Sequence, residues 1–277
     1  MKTAVIISTY NSPDWLEKVL WGYASQSCRD FEIVIADDGS TAETKARIDT
    51  LRSRLGIPID HQWHDAPDYQ RQKILNQCIR VTTAEYLIFT DGDCIPRRDF
   101  VEIHLRHAES GCFVSGGYAK LPMDLSQSIT ADDITTGRCF ELRWLRERGM
   151  LGLSQALKLG PGPRLAAILN RITPTKPTWN NCNSSGWRKD ILAVNGFDER
   201  MKYGGSDREL GARLEHAGIR PKQIRHLGIV LHLDHARGYA TAEVKAQSGK
   251  VREETIAQRK TWTEYGIVKG KHCEATD

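Results

Sequence analysis

Two aspartates flank a glycine at Asp91-Gly92-Asp93, directly after the apolar run that starts at Tyr86. Carboxylates at i and i+2 can both reach one divalent cation, and the glycine between them lets the chain turn tightly. Hard oxygen ligands suit Mg²⁺ or Mn²⁺, which bind through few carboxylates together with substrate phosphates. Such an ion can neutralise the charge developing on a departing diphosphate. Taken alone, the same residues also make an ordinary polar turn. Two further polar clusters, Ser8-Thr9-Tyr10-Asn11 and Asp37-Asp38-Gly39-Ser40, each close an earlier apolar run. In a parallel α/β sheet, ligands gather outside the carboxyl ends of the strands. Three such clusters therefore converge on one crevice.

The elements that must hold these residues can be read from periodicity. Residues 3–8, 31–36, 57–62 and 86–90 read as strands, separated by helical patterns. Ser12 offers an N-cap and Pro13 suits the first helical position, after which Leu16, Val19, Leu20 and Tyr23 form one face. Ile48, Leu51 and Leu55 point inward from a second helix that Gly56 ends. A third helix covers 71–81 and packs through Ile74, Leu75, Cys78 and Ile79. Residues 120–177 break the alternation. They hold a basic helical pattern (Phe140, Leu142 and Leu145, with Arg138, Arg143, Arg146 and Arg148) and then Gly160-Pro161-Gly162-Pro163. That segment reads as an insertion, a lid or acceptor platform. Its helix has either a core face and a solvated face or contact with a membrane surface. Beyond it come residues 179–196, a helix over 207–217 closed by Gly218, and a strand over 229–233.

Composition excludes several classes. The formal charge, 39 basic against 35 acidic residues, is +4 and gives no case for nucleic acid. Seven cysteines with no Cys-x-x-Cys pair make neither a disulfide framework nor a zinc site, and fit a reducing cytoplasm. The apolar start at residues 3–7 is too short for a signal peptide, and no run approaches the ~20 apolar residues of a membrane span. The expectation is a soluble cytoplasmic protein, or one peripheral to the inner face of a membrane. No Gly-x-Gly-x-x-Gly follows the first strand and no Walker-type loop is present, which disfavours a dinucleotide oxidoreductase.

Together, Ile-Ser-Thr-Tyr-Asn at 7–11, Ala-Asp-Asp-Gly-Ser at 36–40 and Phe-Thr-Asp-Gly-Asp-Cys-Ile-Pro at 89–96 resemble family 2 of the glycosyltransferases. The resemblance covers residues 2–118 and resumes over 179–235. It implies an α/β GT-A fold: a Rossmann-like, mostly parallel sheet flanked by helices. On that plan residues 1–118 form a nucleotide-sugar-binding half, 119–178 a helical insertion, and 179–277 an acceptor-binding half with a C-terminal tail. It also implies an inverting enzyme that moves a sugar from a nucleotide diphosphate, a UDP-sugar by preference, to an acceptor hydroxyl. Cell-surface polysaccharide or lipopolysaccharide assembly is the implied setting, with a saccharide or lipid-linked saccharide as acceptor.

Carried over by motif, Ser8 and Asp38 hold the nucleotide base beside Tyr10, and Asp37 helps shape that pocket. Asp91 and Gly92 lie near the ribose and metal, and Asp93 is the direct ligand of Mn²⁺ or Mg²⁺. Arg71 is the expected basic nucleotide contact, with Lys73 the nearby alternative. His232 completes the metal shell, with His235 as the fallback. Tyr203-Gly204-Gly205-Ser206-Asp207 resembles the family segment in which Glu-Asp precedes a helix, so Asp207 is the expected general base. A helix start keeps such a carboxylate ionised; Asp207 or Ser206 can equally be a cap. Ser206 departs from the family's Glu. Trp179, Asn181 and Asn183, with Gly205 and Ser206, offer indole and amide groups to an acceptor sugar; the tryptophan can equally be core. Asn195-Gly196-Phe197-Asp198-Glu199 reads as a connection that positions Asp207. The rival readings are a sugar nucleotidyltransferase, which would want a Gly-rich basic loop after the first strand, and a nucleotide-sugar-binding subunit without activity.

Overall fold

Apolar runs at the predicted places become adjacent parallel strands, and this puts the polar clusters side by side. The computed structural model describes residues 1–150, 152, 158–159, 162–236 and 241–269. Gly160, Pro161, Cys273 and the end of the tail from residue 270 lie outside the described residues. Strands β1 (Thr3–Thr9), β2 (Glu32–Asp37), β3 (Ile59–Trp63) and β4 (Tyr86–Asp91) pair in the order β3-β2-β1-β4, all parallel. The sheet continues through β8 (Ser184–Trp187), β6 (Cys112–Ser115) and β9 (Arg220–Gln223), with β8 antiparallel to both its neighbours. A second sheet joins β5 (Cys94–Pro96), β10 (Ile229–His232) and β7 (Gly117–Lys120), with β10 in the middle.

Every residue of β1 is buried, as expected of a strand covered on both faces. Val5 and Ile7 face a core shared with Leu16, Val19, Leu20 and Tyr23 of α1 (Pro13–Ala24) and with Ile48 and Leu51 of α2 (Ala42–Leu55). Ala4 and Ile6 face the opposite core with Ile74, Leu75, Cys78 and Ile79 of α3 (Arg71–Val81). Gly56 caps α2 at φ 61°, a left-handed position that glycine takes without penalty. Ser12 does stand at the N-cap of α1, but its hydroxyl donates to Tyr10 O (3.0 Å) rather than to the helix.

Residues 120–177 differ most from expectation. The single basic helix is broken into a 3₁₀ turn at Arg138–Phe140 and α7 (Leu142–Glu147), because Glu141 between them is extended. Before them come α4 (Phe100–His107), α5 (Met123–Ser128) and α6 (Ala131–Thr135), and α6 packs on α1. Leu125, Ile129, Ile134, Cys139, Trp144, Leu145 and Met150 belong to the same core as α1. This half of the segment is a layer of the domain rather than a lid, since no residue from 121 to 150 lines the cleft. Its charge is also partly neutralised: Arg138 pairs with Asp132 and Asp133, and Arg143 with Glu147. Helix α8 (Pro163–Ile172) follows, and then α9 (Arg188–Ala193), α10 (Ser206–His216) and α11 (Ala242–Ala257). Among the described residues no helix is long and apolar enough to cross a membrane.

Candidate active site

A cleft of about 1140 Å³ opens at the carboxyl ends of β1, β2 and β4. Its floor is set by the sheet register, which pairs Ser8 with Asp91 and Thr9 with Asp37. Asn11 adopts φ 44°, tolerable for Asn. Its backbone N–H donates to Ser40 Oγ and its Oδ1 accepts from Thr41 N, both at 2.9 Å. That tie fixes the β1 tip to the β2 tip. Gly92 N donates to Ser8 O at 2.7 Å, and a Cβ on Gly92 would meet that oxygen at 3.1 Å, so the turn after β4 needs the glycine for this approach.

Each acid of the tips has its own partners. Asp91 accepts from Ser8 Oγ at 3.0 Å and from the Arg71 guanidinium. Asp38 accepts from His64 Nε2 (2.9 Å) and Gln70 N (3.1 Å); burial still dominates and raises its pKa. Asp37 is buried and turned out of the cleft, with Ser40 N and His61 Nε2 on its oxygens at 2.9 Å. It can shape the pocket through the turn it braces. His61 and His64 were not singled out from the sequence. The signal for them was weak, two polar residues on and just after the edge strand β3. Tyr10 is 53% exposed at the cleft wall, a face open for stacking.

Asp93 sits in the turn between β4 and β5. Antiparallel pairing of β5 with β10 sets His232 opposite Cys94 and therefore beside Asp93. Ligand atoms of Asp93, Cys94 and His232 all lie within 4.8 Å of one another. His232 Nδ1 donates to Leu233 O at 2.7 Å, which makes Nε2 the lone-pair nitrogen of the ring. Burial pushes the Cys94 thiol well up, so it stays protonated and is a poor ligand. Its Sγ donates to Asp93 Oδ1 at 3.3 Å. His235 Nε2 lies 3.0 Å from Asp93 Oδ2, and the two histidine rings stack 5.6 Å apart. Burial opposes ionisation of Asp93, but the His235 hydrogen bond and the charges of both histidines prevail and hold its carboxyl below the usual range. Carboxylate with imidazole suits Mn²⁺. Asp91 lies outside this group; Ser8 and Arg71 both bond its Oδ1.

Asp207 also lines the cleft and lies in the first turn of α10, after Gly204 and Gly205 at φ 108° and 91°. Burial raises its carboxyl above the ordinary range, against the bond from Arg208 N (2.8 Å) and the charge of Arg71. The helix start was expected to keep it ionised; desolvation outweighs that. Ser206 is buried and its hydroxyl accepts from Gln72 Nε2 at 2.8 Å, so it anchors α10 to α3. A buried ion pair, Glu209 with Arg213, secures the same helix, with Thr255 Oγ1 donating to Glu209 at 2.9 Å.

Two expected acceptor groups are not available to a ligand. Trp179 is fully buried between Phe89 and Phe113, at ring distances of 5.4 and 5.5 Å. Gly186 and Gly211 make room for it, since a Cβ on Gly211 would stand 2.9 Å from Trp179 Cβ. Asn183 is also fully buried and donates to Gly117 O and Gly228 O at 2.7 and 2.8 Å. Asn181 and Gly205 do line the cleft. Lys73 does not, whereas Arg71 does.

An open α/β sheet with acids at its switch point and a histidine-carboxylate group beside them defines the GT-A class of fold. The chain belongs to glycosyltransferase family 2: that family's sequence profile matches residues 4–154. A second profile, the N-terminal domain of galactosyltransferase, matches residues 164–236. An uncharacterised glycosyltransferase of Bacillus subtilis, YfnE, is 24% identical over 265 residues, covering 85% of this chain and 65% of that protein. A validoxylamine A glucosyltransferase of Streptomyces hygroscopicus is 25% identical over 232 residues, 78% of this chain and 52% of that one. The chain thus spans about two thirds or less of these relatives. Among solved structures, Staphylococcus aureus TarS 1–349 in complex with UDP-GlcNAc shares the fold at TM-score 0.59 and 15% identity, over 94% of this chain and 72% of that one. A mannosyltransferase from Pyrobaculum calidifontis in complex with GDP-Man and Mn²⁺ gives 0.57 and 18%, over 86% and 58%.

Proposed function

We propose that the cleft binds a nucleotide diphosphate sugar, by preference a UDP-sugar, and transfers the sugar with inversion to an acceptor hydroxyl in surface-polysaccharide assembly. The observation that carries this is that the Asp93–His232 group and Asp207 line a single cleft. TarS with UDP-GlcNAc and the mannosyltransferase with GDP-Man and Mn²⁺ support the same class of donor and ion.

Asp93 and His232 would hold the divalent cation, Mn²⁺ or Mg²⁺. When bound, that ion stabilises the negative charge left on the diphosphate. Tyr10 stacks on the base, and Asp38 accepts from it with the lone pairs that His64 and Gln70 leave free. Arg71, neutralised by Asp91, orients the donor. Asp207 takes the proton of the acceptor hydroxyl as that oxygen attacks the anomeric carbon and the bond to the diphosphate oxygen breaks. Its raised pKa makes it a stronger base than an ordinary carboxylate. The displacement is a single step, so no nucleophilic side chain is needed. Because Ser206 is committed to Gln72, the missing family Glu leaves Asp207 in place.

Donor hydrolysis tests the reading. Slow UDP release from a UDP-sugar that stops on chelation is the expected result. Tight nucleotide binding with no release under any metal condition would instead mark a binding subunit.

A further inference from the structure

Beside Asp207 the cleft wall is cationic, and the cations come from a helix outside both family profiles. On α11, Lys245, Gly249 and Arg252 recur at i, i+4 and i+7, and all three line the cleft. The two side chains lie along the glycine turn that precedes the base. A Cβ built on Gly204 would stand 3.3 Å from Lys245 Cγ, and one on Gly205 3.6 Å from Arg252 Cδ. Arg208, next to Asp207, lines the same wall. Among the described residues none of these three cations has a carboxylate within ion-pair distance, and Arg252 Nε is buried with no hydrogen-bond partner.

An unpartnered buried guanidinium nitrogen is unfavourable unless something is meant to meet it. Gly249 adds a gap between the two cations: a Cβ there would meet nothing within 4 Å. Packing does not require a glycine at that point, and a mid-helix glycine is destabilising relative to alanine. The position is open space on the cleft lining. By contrast, the cleft's acids are Asp38, Asp91 and Asp93 at the strand tips and Asp207 itself.

Resting on the glycosyltransferase reading, we infer that the acceptor is anionic, and that Arg252, Lys245 and Arg208 form a subsite for a phosphate or carboxylate it carries close to its reacting hydroxyl. Arginine presents a fork that matches both groups. On the glycosyltransferase reading the donor's diphosphate is met through Asp93, so this subsite is left to acceptor charge.

The test uses the full chain loaded with UDP and Mn²⁺. Glucose 6-phosphate, glucuronate and glucose serve as phosphate, carboxylate and neutral probes in calorimetric titrations at low and high salt. At low salt the anionic probes are expected to bind at least about tenfold more tightly than glucose, the order expected of hydrogen bonds to charged groups. The preference should shrink at high salt. The two anionic arms tell phosphate from carboxylate. Arg252→Gln and Lys245→Gln should each remove most of the preference and leave UDP affinity unchanged. Lys245 is exposed, so its variant keeps the test sound if Arg252→Gln misfolds. Equal binding of charged and neutral probes, a preference that survives both variants, or lost UDP affinity in Lys245→Gln would each overturn the inference. Metal-dependent UDP uptake in the loading step stands or falls separately, and its absence would overturn the glycosyltransferase reading itself.

Discussion

The two walls of the cleft hold their acids in opposite ways. On the strand-tip wall Asp38, Asp91 and Asp93 each accept at least two hydrogen bonds, and Asp93 is held below the ordinary carboxyl range beside two histidines. On the helix wall Asp207 accepts one bond, from Arg208 N, and burial pushes its carboxyl up. The first wall is a preorganised cradle for charge, suited to a cation and a diphosphate. The second holds a single carboxyl that desolvation raises, as the proposed base requires. On that proposal binding and proton transfer fall to different groups, and variants of the two should fail differently.

The largest effect is expected at the strand-tip wall. Asp93→Asn should abolish Mn²⁺-dependent UDP binding, because a neutral amide replaces a carboxylate at a hard cation; unchanged nucleotide affinity by calorimetry would remove Asp93 from the metal site. On the helix wall Asp207→Asn should lower kcat by roughly 10²–10⁴, the usual range for a positioned acid or base, and leave donor affinity intact. Parallel losses in both quantities would erase the distinction between the walls. Glu209→Ala leaves Arg213 charged and buried, so a loss of about 3–5 kcal/mol of stability is expected in urea unfolding. A loss under 1 kcal/mol would mean that α10 is not held by that pair.

The smallest effect concerns pH. A raised pKa means that the folded protein binds the Asp207 proton more tightly than the unfolded chain does. This group's contribution to stability therefore declines as pH rises from its ordinary value, about 3.9, through the raised one. Asp207→Asn should then gain slightly in Tm at neutral pH and lose that gain below pH about 4. A lower Tm at neutral pH would show the carboxylate to be stabilising, as a helix cap would be. For turnover the sign is the same: kcat should fall on the acid side through a pKa above the ordinary carboxylate value.

The strand-tip wall was legible in the sequence because it is local. Each apolar run ends in its own polar cluster, and parallel pairing brings the clusters together without further information. Helix 71–81 matches at both ends for the same reason, an uninterrupted 3.6-residue stripe. His232 was legible by resemblance, but its place beside Asp93 depends on the β5–β10 register, which no local pattern encodes. Trp179 and Asn183 look like sugar-binding residues in the chain, yet tertiary packing buries both, and the glycines that admit the indole lie in β8 and α10. The segment 120–177 reads as an insertion because its helices are short and irregular; that they complete the α1 core follows only from long-range contacts. The cations of α11 reach the cleft by the path of the chain after β10, which periodicity does not report.

The most direct measurement is UDP affinity of the full chain, by isothermal titration with Mn²⁺ and again with chelator. At least about tenfold tighter binding with the metal, or 1.4 kcal/mol, is the expected result if the strand-tip acids grip the diphosphate through a cation. Equal affinities would contradict it.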